Sequence, residues 1–186
     1  MVRVSCVFVD ANVLLDVLWG RRPSSEELLK LLRACGIPIY TSYLVFLELI
    51  DKEQERMFVQ NLINEGRTLD YILRVRKNRR LTKDERKEAV DKVYELLKEY
   101  GIELLVPRDE GIWETATLVM KDVNVESNDA FHIASAMEAG CNIFVTSDER
   151  LGKQVNQIIG LKWYKPDELL NELTQGKLKP KNKSTR

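Results

Sequence analysis

The sequence predicts an α/β fold, a parallel sheet of four or five strands flanked by helices, with an extra helical segment between the second and third strands. Three observations predict it. Short apolar runs rich in β-branched residues recur along the chain, and each is followed by a stretch with helical spacing. The first run, Val4 to Val9, is apolar at nearly every position, as a strand buried on both faces of a parallel sheet is. One interval, about 52–100, is long, charged and helical and contains no strand.

Taken in order, Asp10 ends the first strand, and Leu14, Leu15 and Leu18 follow at helical spacing. Arg21 to Glu27 supplies a turn, capping serines and early acids for a second helix that runs to about Ala34 and closes at Gly36. Ile37 to Thr41 reads as the second strand, and Tyr43 to Ile50 starts a helical region that continues, broken near Gly66, to about Tyr100. Thr82-Lys83-Asp84-Glu85 is a helix start before the stripe Val90, Val93, Leu96 and Leu97. Ile102 to Val106 is a third strand, Glu110 to Lys121 and Asn128 to Ala139 are helices, Asn142 to Thr146 is a fourth strand and Leu161 to Tyr164 a fifth. This divides the chain into one domain over 1–176, with its helical insertion at about 52–100, and a lysine-rich mobile tail over 177–186.

With 186 residues and 44% hydrophobic content, the chain can bury one sizeable core. Its 29 basic and 29 acidic residues cancel, so a polyanionic partner must be met by a local patch. Cys6, Cys35 and Cys141 are scattered and lack zinc-ligand spacing, as suits a reducing cytosol. Arg3 and Asp10 interrupt the apolar N-terminus, and no later run is long enough to span a membrane, so a cytoplasmic location is expected.

Four acids carry the chemistry. Asp10 and Asp148 follow the first and fourth strands, at the strand ends where open α/β sheets bind ligands. Each also reads as a helix cap or turn residue. Asp129 heads the helical stripe of Ile133, Ala136 and Gly140 and so points toward the protein, unless it only decorates a helix N-terminus. Glu48 is the one charge in the apolar run from Tyr43 to Ile50, and if it is buried it needs a partner or a cation; an exposed pair with Lys52 is the alternative. A carboxylate cluster without cysteine or histidine selects a hard cation, Mg²⁺ with Mn²⁺ as substitute, and such ions handle phosphate.

At these residues the chain resembles the PIN domain family of ribonucleases, including the VapC-type toxins. The matching pieces are Phe8-Val9-Asp10-Ala11-Asn12-Val13-Leu14-Leu15, the glutamate of Phe46-Leu47-Glu48-Leu49, Asn128 to Ala136, and Phe144-Val145-Thr146-Ser147-Asp148. The resemblance implies that Asp10, Glu48, Asp129 and Asp148 bind the metal, with Asn12, Thr146 and Ser147 as polar helpers. It further implies hydrolysis of single-stranded or structured RNA to 5′-phosphate and 3′-hydroxyl ends, and, for a toxin, a homodimer held by a protein antitoxin. The long segment after Glu48 departs from the compact toxin pattern, and an RNA-processing nuclease that is not a toxin is the alternative.

Two other readings are a haloacid-dehalogenase-type phosphatase, weakened because Asn12 stands where its second acid belongs, and a non-catalytic RNA-binding module. The single histidine, His132, lies between Phe131 and Ile133 and reads as a helix-face residue rather than a catalytic base. For RNA binding the candidates are Arg74, Arg76, Lys77, Arg79 and Arg80. On a helix, Arg76, Arg79 and Arg80 share a face.

Overall fold

The computed structural model describes residues 2–106 and 111–180. Its main sheet has five parallel strands in the order β4-β3-β2-β5-β6: β2 is Val7–Val9, β3 Ile39–Ser42, β4 Ile102–Leu105, β5 Ile143–Val145 and β6 Lys162–Tyr164. Val7, Phe8 and Val9 are fully buried at its centre, and the Phe8 ring stacks on Phe144 of β5 at 4.9 Å. Nine helices, counted among the described residues, connect and cover the strands. None of them is long and apolar enough to cross a membrane.

From β2 the chain builds outward through β3 to β4, then crosses to the other side of β2 for β5 and β6. The order reverses between β2 and β5, and such a switch opens a crevice beyond the carboxyl ends of the two strands. Asp10 N–H donates to Val145 O at 3.0 Å, which fixes the two strand ends side by side.

The single first strand expected from the sequence is two. β1, Val2–Val4, leaves the main sheet and pairs in parallel with β7, Leu178–Pro180. Asn142 causes the break: its Oδ1 accepts from Ser5 N–H at 2.9 Å while its Nδ2 donates to Arg3 O at 2.7 Å. The expected mobile tail is corrected at its start, because β1 gives Leu178–Pro180 a backbone ladder and Leu178 is buried. The rest of that tail, 181–186, lies outside the described residues, as does Glu110 at the expected start of a helix.

Helix α1 spans Ala11–Leu18 and α2 Pro23–Ala34. Helix α2 begins on Pro23, whose fixed φ suits a first helical position, so Ser24 and Ser25 lie inside its first turn and do not cap it. Helix α3, Tyr43–Asn64, is capped by Ser42 Oγ, which accepts from Val45 N–H. Helices α4, Leu69–Val75, and α5, Lys83–Tyr100, complete the segment between β3 and β4. The expected start of α5 is a capping box between Thr82 and Glu85. Gly101 ends the helix in the left-handed conformation at φ 65°.

The outer part of this segment has a small core of its own, Phe58, Leu62 and Ile72, with Val59, Val75 and Leu81 against it. The first half of α3 and the second half of α5 pack instead into the main core through Val45, Phe46, Leu49, Val93, Leu96 and Leu97. The arm therefore grows out of the domain's own helices. Helices α6, Gly111–Asp122, and α7, Ser127–Glu138, pack as a pair beside the sheet. Helices α8, Glu149–Val155, and α9, Pro166–Thr174, were not anticipated from the sequence.

Candidate active site

Asp10 sits at the β2/β5 switch as the N-cap of α1 and is 6% exposed. Its Oδ1 accepts from Ala11 N–H at 2.8 Å, and its Oδ2 accepts from Asn12 Nδ2 at 2.6 Å and Thr146 Oγ1 at 2.8 Å. Asn12 also donates to Thr146 Oγ1 at 2.8 Å and accepts from Ser147 N–H at 2.9 Å, while Asp148 N–H donates to Thr146 Oγ1 at 3.0 Å. The three polar helpers thus lock the loop after β5 onto the end of β2.

Burial pushes the Asp10 carboxyl up to about 7; the bonds from Thr146 and Ala11 oppose this, and the charges of Glu48 and Asp129 add to it. The other acids arrive from separate elements. Asp129, in the first turn of α7, is also raised, first by burial, against the attraction of Arg150 and with the repulsion of Glu126 and Asp148. Asp148 is the N-cap of α8, its Oδ1 accepting from Arg150 N–H at 2.8 Å and Leu151 N–H at 3.1 Å. Both strand-end aspartates are therefore caps, and both also face the crevice charge.

Of the two orientations open to Glu48, the structure takes the exposed one. The Ser42 cap sets the phase of α3 so that Val45, Phe46, Leu49 and Glu53 point inward, which leaves Glu48 and Leu47 exposed. Partial desolvation still raises the Glu48 carboxyl, with Lys52 lowering it and Asp129 and Asp51 raising it. Lys52 itself pairs with Glu55 at 3.3 Å.

The four acids repel one another in a chain from Glu48 through Asp10 and Asp129 to Asp148. Among the described residues no three acids, histidines or cysteines stand close enough to enclose one ion. The donor set nevertheless fits Mg²⁺, which keeps several waters and commonly binds one or two carboxylates plus a substrate phosphate. In this arrangement a guanidinium serves as counter-charge: Arg150 Nη2 lies 2.9 Å from Asp129 Oδ2, and its Nη1 lies 3.3 Å from Glu126.

Sequence reasoning missed Arg150, whose position two residues after Asp148 was the only signal. It also missed Trp163, whose indole N–H donates to Thr146 O at 2.9 Å and holds the loop from below. The ring lies flat against Gly152, where a Cβ would come within 2.1 Å of it, so only glycine leaves room for this support. His132 is buried, with its Nδ1 2.9 Å from Ser42 Oγ, and burial lowers it to about 4. It is a neutral tie between α7 and the start of α3.

The shared basic face is corrected. Helix α4 ends at Val75, so Arg76 caps it and Arg79 and Arg80 lie in the following loop. Arg79 Nη2 pairs with Asp51 at 2.5 Å, and Arg76 stands 3.9 Å from Glu55. Arg74, Lys77 and Arg80 are exposed and without an ion pair among the described residues.

A parallel α/β protein with carboxylates from separate elements drawn toward its topological switch is the class that fold and site define. The chain belongs to the PIN domain family, whose model matches residues 7–155. PIN domains are in general nucleases that use divalent metal ions. The match leaves the phosphatase alternative without support.

No curated protein matches the chain in sequence. Among solved structures it is similar to VapBC2 from Rickettsia felis bound to a promoter DNA fragment, with a TM-score of 0.56 and 13% identity over 86% of this chain and 98% of that one. It is also similar to a toxin–antitoxin complex from Klebsiella pneumoniae, with a TM-score of 0.51 and 15% identity over 87% of this chain and 98% of that one. At these identities the likeness is one of fold.

Proposed function

We propose that this protein is a Mg²⁺-dependent endoribonuclease, with Asp10, Glu48, Asp129 and Asp148 as its metal-binding acids. The observation that carries the reading is the Asp10 carboxylate, buried at the strand-order switch and facing acids from two other elements, Glu48 of α3 and Asp129 of α7, the second of which faces Asp148 in turn. Buried carboxylates are retained at a cost when they hold a cation or do chemistry. A bound divalent ion would supply an activated water and charge stabilisation on the phosphate. The chain's own part is positional. Asn12 and Thr146 fix the Asp10 oxygens, the Asp148 cap keeps the β5 loop closed, and Glu48 lines the solvent side where a strand enters. Neutral His132 takes no part as a base.

The toxin–antitoxin neighbours, almost the whole of whose length aligns, support a toxin role with a protein antitoxin. The arm built from α3, α4 and α5 favours RNA processing as the second reading. Its free cations Arg74, Lys77 and Arg80 are the revised RNA contacts of that arm.

The purified protein should cleave single-stranded RNA in Mg²⁺ or Mn²⁺, leaving 5′-phosphate and 3′-hydroxyl ends, and EDTA should abolish cleavage. End-group analysis of the products checks this. Cyclic phosphate ends, or undiminished cleavage in EDTA, would overturn the metal-water mechanism.

A further inference from the structure

The turn between α1 and α2 carries a second feature at the same crevice. Asp16 of α1 is a buried carboxylate that holds two guanidiniums, Arg21 at 2.9 Å and Arg22 at 3.5 Å. Arg21 lies over the Trp19 ring at 4.6 Å, its N–H donates to Asp16 O at 2.8 Å, and Gly20 at φ 62° with Pro23 at the start of α2 fixes the backbone on either side. Two cations against one carboxylate leave a net positive unit, held on a rigid turn.

Arg22 directs this charge. Its Nη1 donates to Ser147 Oγ at 3.2 Å, in the loop that Asn12 and Thr146 lock beside Asp10, and Asp148 is the next residue. The side chain remains 57% exposed, and Nη2 has no protein acceptor among the described residues. An exposed, braced guanidinium fork with a free face at the lip of an acidic crevice has the shape and charge to meet a phosphodiester.

We propose that Arg22, braced by Asp16 and Ser147, contacts a backbone phosphate of the single-stranded RNA beside the carboxylate crevice, with Asp16 as its positioning residue. The inference rests on the nuclease reading and deepens it. It solves a problem that reading raises, because the crevice is lined by acids and by itself repels a polyanion. Contact with phosphate carries no base information, so Arg22 sets register and affinity but not sequence choice.

The test compares wild type, Arg22→Gln, Arg22→Lys and Asp16→Asn by binding of a short single-stranded RNA in EDTA across a salt series, and by cleavage kinetics in Mg²⁺. Arg22→Gln should weaken binding by about 10- to 100-fold and flatten the salt dependence by about 0.7 log units, the loss of one phosphate contact. Its KM should rise while kcat changes little. Arg22→Lys should keep the salt slope, and Asp16→Asn should keep the slope but lose affinity, because the charge stays and its placement goes. Unchanged affinity and slope in Arg22→Gln, with only a lower melting temperature, would make Arg22 a structural tie and overturn the proposal. Binding that Arg22→Gln weakens, in a wild type that does not cleave in Mg²⁺, would support the contact and overturn the nuclease reading.

Discussion

Asp10→Asn is expected to lower RNA cleavage by on the order of 10³-fold, because it removes a charged ligand from a site asked to supply several kcal/mol of transition-state stabilisation. The fold should survive. Asn Oδ1 still accepts from Ala11 N–H, and the cost is confined to the side-chain amide, which now meets the donors Asn12 and Thr146 in place of an acceptor. A pH signature separates loss of charge from loss of structure. In metal-free wild type the folded-state value of Asp10 lies above its unfolded one, so the contribution of Asp10 to stability is full in acid and is lost as pH rises toward about 7. The Asn variant should lack that decline. Thermal midpoints from acid to neutral pH in EDTA, read beside the cleavage rate, check both halves. An inactive variant with a collapsed midpoint at every pH would point to misfolding.

Glu53→Ala is expected to cost about 1.5–3 kcal/mol of stability, the scale for losing hydrogen bonds to a charged group, because the Arg56 and Lys92 charges it leaves behind stay 41% and 38% exposed. Glu53 is 1% exposed and joins three helices. Its carboxylate accepts from the Trp19 indole N–H at 2.8 Å and from Arg56 at 2.7 and 2.6 Å, with Lys92 at 3.5 Å. Burial alone would raise this carboxyl, but the bonds from Arg56 and Trp19 and the charges of Arg56 and Lys92 hold it below the usual glutamate range. A lowered carboxyl stabilises the fold above its unfolded pKa, and that contribution drains away as pH falls through the folded value. The gap between wild type and Glu53→Ala should therefore narrow in acid. Denaturant midpoints at neutral and acid pH measure it; a neutral-pH loss under about 1 kcal/mol would mean the cluster is solvated and the arm is fixed by its apolar contacts.

The parts of this architecture that depend on local pattern were legible in the sequence. Val7 to Val9 announces a central strand because a strand buried on both faces needs apolar residues throughout, and Thr82 with Glu85 announces a helix start because the capping box is a local bond pair. What was not legible depends on partners distant in sequence. Nothing near Ser5 foretells that the Asn142 amide divides the first strand, or that β1 captures Leu178. Whether Glu48 points inward or outward stayed open because an almost uniformly apolar run carries no helical phase; the phase comes from the Ser42 cap.

The same holds for charge. Arg76 and Arg79 looked like a basic face, but Glu55 and Asp51 of α3 take them up. Arg22 looked like part of a turn, and only the fold brings it to Ser147. The four acids could be picked out as candidates because Asp10 and Asp148 stood at strand ends, Glu48 in an apolar run and Asp129 at the head of a helical stripe. Arg150 could not, because its meaning lies in Asp129, 21 residues away.

The central claim is that the acidic crevice of Asp10, Glu48, Asp129 and Asp148 holds a divalent cation on Asp10, with the other acids acting through its waters, and the most direct test is the anomalous signal of Mn²⁺ in crystals of the protein grown with a non-cleavable RNA. The account predicts a peak in the crevice beyond β2 and β5, in contact with an Asp10 carboxylate oxygen and a phosphate oxygen, and absent from Asp10→Asn crystals. A peak elsewhere on the molecule, or an RNA phosphate bound in the crevice without any ion beside Asp10, would contradict it.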